Sequence, residues 1–395
     1  MAQLRWRLLA ASFAAALTAM LLPTDAPAAC PFCVDERGPT MVDDYLQASF
    51  VLYGTFTNAK LDPNGGIDGG SSDFVIDKVL KDHPAVNGKK MITLPKFVPA
   101  SKSKFVVFCD VYNGVINPYR GEEAPPSSEL LDYLTSSLKF KDQSVGDRLR
   151  HCFKFLNSPD LNVSTDAYRQ FAKADYTEYK EIAKKLPAAT LAAWLEDPKT
   201  QPYRYGLYGS LLGHCGEPKK HGALLRSMLD DPKKRMGSGI DGMMAGYVLL
   251  QPKDAWGYMQ KIVKDDSEEF YVRYAVLRTL RFYWDYRTDV MSKNQILEGM
   301  EMVAHLPDLS DFAIDDLRTW KQWQMTDKVL DLFTKESHNL PVVKRAILRF
   351  ALSSPEPRAK KFVAEQRKLD RAWVEDTEEM LRIEEPAPKV EPKKK

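Results

Sequence analysis

The hydrophobic period of this chain changes partway along, and that change constrains its fold more than any other feature. From Gln143 onward apolar residues recur at helical spacing. Ile240, Met243, Met244, Tyr247 and Val248 stand at i, i+3, i+4, i+7 and i+8. Val272, Ala275, Val276, Leu280 and Tyr283 make a second stripe, Ala313, Leu317 and Trp320 a third, and Val343, Ile347, Phe350 and Ala351 a fourth. Each is followed by a breaker and a shorter helix. Glu217-Pro-Lys219 precedes Leu224 to Leu229, Gln251-Pro-Lys253 precedes Trp256 to Val263, and Ser354-Pro-Glu356 precedes Phe362 and Val363. Pro suits these points because it fits a helix's first turn and blocks continuation of the one before. The first helices are expected to begin near Tyr203, Ser238, Glu269, Ser310 and Leu340, a spacing of about 30 to 41 residues. A single pair cannot bury its apolar face alone, so neighbouring pairs must stack.

Helix pairs of variable sequence at this period resemble HEAT-type repeats. The resemblance covers residues 201–370 and implies an α-solenoid whose concave face binds another molecule. Residues 126–200 are helical too, with Leu149, Cys152, Phe153 and Leu156 on one face, and form the expected connecting and capping region.

Residues 30–125 read differently. Ser49 to Phe56, Asp73 to Leu80, Met91 to Leu94 and Lys104 to Val111 are short alternating or β-branched runs between turn residues. Phe105, Val107, Cys109 and Val111 share a face, because side chains alternate along a strand. So do Phe74 and Ile76, with Val75 and Val79 opposite. These lengths suit a small antiparallel barrel or sandwich. The expected class is α+β and multidomain: a small antiparallel β-barrel-like domain followed by an α-solenoid.

The first 29 residues carry the pattern of a signal peptide. Arg5 and Arg7 precede an apolar run from Leu8 to Leu22, and Pro23 to Ala29 is small and Pro-rich. Cleavage after Ala28 fits the small-x-small pattern; cleavage after Ala29 would leave Cys30 first. Lipidation of Cys30 is disfavoured because Pro27 stands where Leu is wanted. The run is short for a bilayer span, and no other stretch is long enough. The protein is therefore expected to be exported (periplasmic, envelope-associated or extracellular), with no transmembrane segment after cleavage.

Export permits disulfides. The five cysteines are Cys30, Cys33, Cys109, Cys152 and Cys215, an odd count that leaves at least one outside any internal pair. Cys30-Pro-Phe-Cys33 admits a redox pair, half of a metal site, or a structural disulfide; haem attachment is excluded because Val34 stands where His is needed. A redox pair usually sits at a helix N-terminus after a strand, where the dipole lowers a thiol pKa. Zinc would need Cys109 and a fourth ligand that is not evident. The favoured reading joins Cys30 or Cys33 to Cys109.

This Cys-rich start, with Tyr45-Leu-Gln-Ala-Ser-Phe-Val-Leu-Tyr-Gly54, Phe74-Val-Ile-Asp-Lys-Val-Leu-Lys81 and Lys104-Phe-Val-Val-Phe-Cys109, resembles the netrin-like modules. The resemblance implies an OB-type barrel. In the tissue inhibitors of metalloproteinases the N-terminal Cys chelates the target's zinc, so it also implies protease inhibition through Cys30. Those inhibitors have Cys-x-Cys where this chain has Cys-x-x-Cys.

Other motifs carry less. Gly237-Ser-Gly-Ile-Asp-Gly242 matches G-x-G-x-x-G but lacks the preceding buried strand of a dinucleotide site, and reads as an inter-helix turn. The loop from Asp62 to Asp73 has Ile67 where a calcium loop needs Gly and Asp73 where it needs Glu. His151-Cys152 and His214-Cys215 are neighbours about 100° apart on a helix, which suits burial better than a shared ion. Asn162-Val-Ser164 is a glycosylation sequon that matters only in a eukaryotic host. H-E-x-x-H, G-x-S-x-G and Walker sequences are all missing. No catalytic, cofactor-binding or metal-ligating residue is assigned, no cofactor is expected, and an enzyme is the less favoured class. Lys+Arg of 56 against Asp+Glu of 54 gives a net charge of +2, so nucleic acid is not an expected partner. Residues 384–395 form a charged, Pro-rich tail expected to be disordered.

Tyr271 to Arg287 interleaves aromatics with arginines, the residue types that dominate interface hot spots. Arg273, Tyr274, Arg281 and Trp284 are its candidate binding residues. The expected function is that of an exported, non-enzymatic binding or scaffold protein whose helical-repeat surface takes a protein or an envelope component. Thiol-redox or metal chemistry at the Cys-x-x-Cys, and protease inhibition, are the alternatives.

Overall fold

The computed structural model describes residues 30–33, 38–64, 69–235 and 238–384. The expected signal peptide, Gly237, the middle of the Asp62 to Asp73 loop and the tail after Glu384 lie outside the described residues. The chain forms two compact units, one of residues 38–182 with Cys30, the other of residues 183–384 with residues 31–33. The boundary falls inside the expected connecting region, whose helices up to Ile182 belong with the sheet.

The first unit opens with helix α1 (Met41–Gln47), so Tyr45 to Gln47 of the segment that carries the netrin-like resemblance are helical, and the strand begins at Phe50, one residue after the expected Ser49. A capping box sets this helix: Thr40 Oγ1 accepts from Asp43 N, and the Asp43 carboxylate accepts from Thr40 N. Strands β1 (Phe50–Leu61), β2 (Gly70–Lys81), β3 (Met91–Leu94), β4 (Phe105–Tyr112) and β5 (Val115–Glu123) form one antiparallel sheet in the order β3-β2-β1-β4-β5. The expected runs became strands with the expected facing. Phe50, Leu52, Phe56, Phe74, Ile92, Leu94, Val107 and Cys109 make the core, with Phe105, Val111 and Ile76 packed against it.

The sheet is open, which corrects the expectation of a barrel. β3 and β5 are its edges and approach each other without a ladder. β3 has four residues, and β5 carries Pro118, which has no N–H to donate. Pro118 is tolerated at an edge, where it pairs with Cys109 beside a register shift. Helices α2 (Leu130–Ser137), α3 (Val145–Phe153), α4 (Leu161–Lys173) and α5 (Tyr176–Ala183) follow, with Leu149, Cys152, Phe153 and Leu156 buried as their period requires.

The second unit is helical: α6 (Ala188–Glu196), α7 (Tyr205–Cys215), α8 (Pro218–Asp230), α9 (Pro232–Arg235), α10 (Ile240–Leu250), α11 (Pro252–Lys264), α12 (Phe270–Tyr286), α13 (Lys293–Ala304), α14 (Ser310–Thr319), α15 (Thr326–Leu332), α16 (Pro341–Ser353), α17 (Pro357–Leu369) and α18 (Arg371–Glu384). The first helices start within two residues of the expected points. Pro218 and Pro252 open their second helices as expected; Pro357, not Pro355, opens α17. The four stripes are buried, apart from the half-buried Trp320. Among the first helices α7 packs on α10, α10 on α12 and α14 on α16, and α16 also packs on α18.

Two of these approach to backbone contact. Gly206, Gly209 and Gly213 on α7 lie against Gly239, Gly242 and Gly246 at the start and along α10. A Cβ on Gly242 would sit 2.2 Å from the Gly206 carbonyl oxygen, and one on Gly246 2.1 Å from that of Gly209. Gly239, at φ +109°, also supplies the left-handed turn into α10. Two glycines of the nucleotide-like motif therefore serve helix packing.

Candidate binding surface

The structure gathers the four expected binding residues on α12 and joins each to an element one helix pair further along. Arg273 donates to Asp308 at 2.7 Å and Arg281 to Asp316 at 2.6 Å. The Tyr274 ring meets Phe312 edge-on at 5.6 Å, and Trp284 stacks on Trp320 at 4.3 Å. Arg273 and Arg281 each meet a carboxylate 35 positions further along the chain. The arginines therefore act first as stitches between successive pairs.

What stays exposed lies beside those stitches. Phe270 and Tyr271 near the start of α12, Phe312 on α14 and Val342 on α16 are 45%, 38%, 39% and 56% exposed. Phe270 stacks on Tyr274 at 5.8 Å, so Phe270, Tyr274 and Phe312 form one aromatic run. A groove of about 250 Å³ opens next to it, lined by Phe312 and Val342 together with Arg281, Arg345, Arg349, Asp311 and Asp315. Burial pushes the Asp316 carboxyl up to about 6 despite its bond to Arg281, and raises Asp311 as well. Arg349 holds Asp315 at 3.5 Å and also bonds Glu384. Sequence reasoning found the arginines and Tyr274 but not these carboxylates, whose pairing shows only once the helices stack. Phe312 was legible as an apolar residue off the Ala313 stripe.

The N-terminal Cys-x-x-Cys has a packing role. Phe32 is 3% exposed, with its ring 4.5 Å from Phe282. Arg278, paired with the buried Asp241 at 2.7 Å, donates to the Pro31 carbonyl at 3.0 Å. Cys30 is buried and donates its N–H to the Ala172 carbonyl at 2.9 Å. Cys33 is half-buried. Cys109 is a thiol inside the sheet core and forms no disulfide. Burial, then the Asp110 charge, pushes it up to about 12. Cys152 is likewise pushed up to about 12 by burial, and Cys215 to about 11. His151 bonds Ser136 Oγ at 2.9 Å, while Cys215 donates to the Leu211 carbonyl of its own helix. Each His-Cys dipeptide is thus absorbed locally. Among the described residues no three His, Cys, Asp or Glu side chains are placed to hold a metal ion, and no helix is long and apolar enough to cross a membrane.

Comparison with protein-family models, curated proteins and solved structures finds no match for this chain.

Proposed function

We propose that this is an exported, non-enzymatic binding protein whose second unit is a HEAT-like solenoid and captures a protein partner over α12, α14 and α16. The observation that carries this reading is the exposed row Phe270, Tyr271, Phe312 and Val342 beside the arginine-lined groove. Aromatic anchors with adjacent arginines dominate the energetics of protein interfaces, and an apolar row flanked by charges marks an interaction site on a soluble surface. The contacts at one-repeat offsets along α12 support the solenoid. The antiparallel order β3-β2-β1-β4-β5, with the two edge strands near each other, favours an OB-type, netrin-like first unit that is partly open and not a closed barrel.

The test places a photo-crosslinking residue at Phe312 in full-length protein in its native envelope, with a matched residue at Gly257 on α11 as control. One discrete adduct from position 312, lost when Val342→Asp is added, is the expected result. Equal adducts from both positions, or none from 312, overturn the reading.

A further inference from the structure

Gly121 on β5 leaves a space in the first unit that no side chain fills. It pairs with Val107 across the β4–β5 ladder, so a side chain at 121 would share the face of Val107, and its Cβ position has nothing within 4 Å. A hollow of about 210 Å³ opens there, at the seam where β3 and β5 approach without a ladder. Phe56, Leu94 and Val107 form its floor from the sheet core, and Phe105, Val98 and Pro118 its sides. Phe56 meets Phe105 edge-on at 5.4 Å and Phe74 at 4.8 Å, so the floor is aromatic. The rim is fixed at Val98, whose N–H donates to Ser72 Oγ at 2.8 Å and whose carbonyl accepts from the same hydroxyl at 3.1 Å. The lining cations are engaged elsewhere. Arg120 pairs with Phe108 and turns to the opposite face, where its guanidinium lies over the Phe108 ring and binds Asp44 and Glu122. Lys96 also has a partner.

We propose that this hollow binds a small uncharged aromatic molecule, with one six-membered ring seated over Phe56 and Phe105 in the space beside Gly121. An apolar cavity of about 150 Å³ in another protein stays dry and binds benzene, so this one has room for a ring with a short substituent. The floor and sides lack contact partners on their open side, and a ring restores them. Rings favour edge-on and offset contact, which the half-buried Phe105 can make with a guest. A carboxylate would lose its hydration there and gain no partner.

Full-length protein is titrated with toluene, with p-cresol and with benzoate, by calorimetry and by methyl NMR. Saturable binding of at least one neutral ring at one site, with ring-current shifts centred on the methyls of Leu94, Val98 and Val107, is expected. Benzoate should bind at least about tenfold more weakly than that ring, because its charge must be desolvated. Gly121→Ile, which places a side chain in the hollow, should weaken the neutral ring at least about tenfold by occupying its space. Far-ultraviolet circular dichroism checks that the variant folds, and the NMR shifts of the unsubstituted protein stand without it. No saturable binding of either neutral ring, shifts away from these methyls, benzoate bound as tightly as the neutral ring, or affinity unaffected by Gly121→Ile overturns the proposal.

Discussion

The indole of Trp284 lies nearly parallel to that of Trp320, with centroids 4.3 Å apart and planes 12° apart. Lys293 sits 4.8 Å above the Trp284 ring, so one side chain of α12 joins the loop after α14 to the start of α13. Aromatic pairs contribute about 1 kcal/mol beyond the area they bury. Trp284→Ala and Trp320→Ala should therefore be non-additive in urea denaturation, with a coupling of about 1 kcal/mol. Additive losses would mean that the two rings act independently.

The glycines of α7 and α10 make a sharper prediction. Gly242→Ala would drive a methyl against the Gly206 carbonyl, and backbone cannot give way as a flexible side chain can. Overpacking of this kind costs about 1–3 kcal/mol. Gly257, inside α11, has nothing within 4 Å of its Cβ position. There Ala should stabilise by about 1 kcal/mol through helix propensity. Thermal melts of the two variants should move in opposite directions.

These glycines also show what could be read from the sequence and what could not. Residues 206, 209 and 213 repeat their spacing at 239, 242 and 246, an internal repeat visible in the letters. Gly239 and Gly242 were read from the sequence as part of an inter-helix turn, and Gly239 does make the turn into α10, but the close packing of both against α7 was not read. The helical stripes were legible because burial on one face imposes a period, and Pro218 and Pro252 marked where second helices open. β5 was not legible: Val-Ile-Asn-Pro-Tyr-Arg-Gly lacks a strand's pattern, because an edge strand need not bury both faces or donate every N–H. The candidate arginines were legible as residue types, but their partners Asp308 and Asp316 depend on helix packing that no local pattern encodes. The expected Cys109 pairing came from counting sulfurs, whereas its position in the strand alternation places it in the core.

Asp166 illustrates such a long-range partner in the first unit. Its buried carboxylate accepts from Met41 N at 2.5 Å, Val42 N at 3.4 Å and Tyr133 Oη at 2.9 Å, anchoring the start of α1 from 125 residues away. Asp166→Ala would leave these donors unpaired inside the unit, and each buried unsatisfied group costs about 1–3 kcal/mol. A loss of about 3 kcal/mol is expected in denaturant unfolding, with amide exchange at Met41 and Val42 accelerating more than at the β1 amides. Unchanged exchange there would remove Asp166 as the anchor of α1.

Asp316 should set a pH dependence in the second unit. Burial raises its carboxyl from 3.8 to about 6; Arg281 opposes the rise, and Asp315 and Asp285 add to it. A folded-state pKa above the unfolded one means that the native state binds the proton more tightly. The resulting stabilisation is complete below pH 3.8 and is lost as pH rises through 6. A shift of this size corresponds to at most about 3 kcal/mol. Asp316→Asn, which cannot titrate yet still offers Arg281 an oxygen, should gain stability relative to the parent between pH 5 and pH 7.5 and match it more closely at pH 5. Parallel stability profiles for the two proteins across that window would show that the native carboxyl does not titrate there.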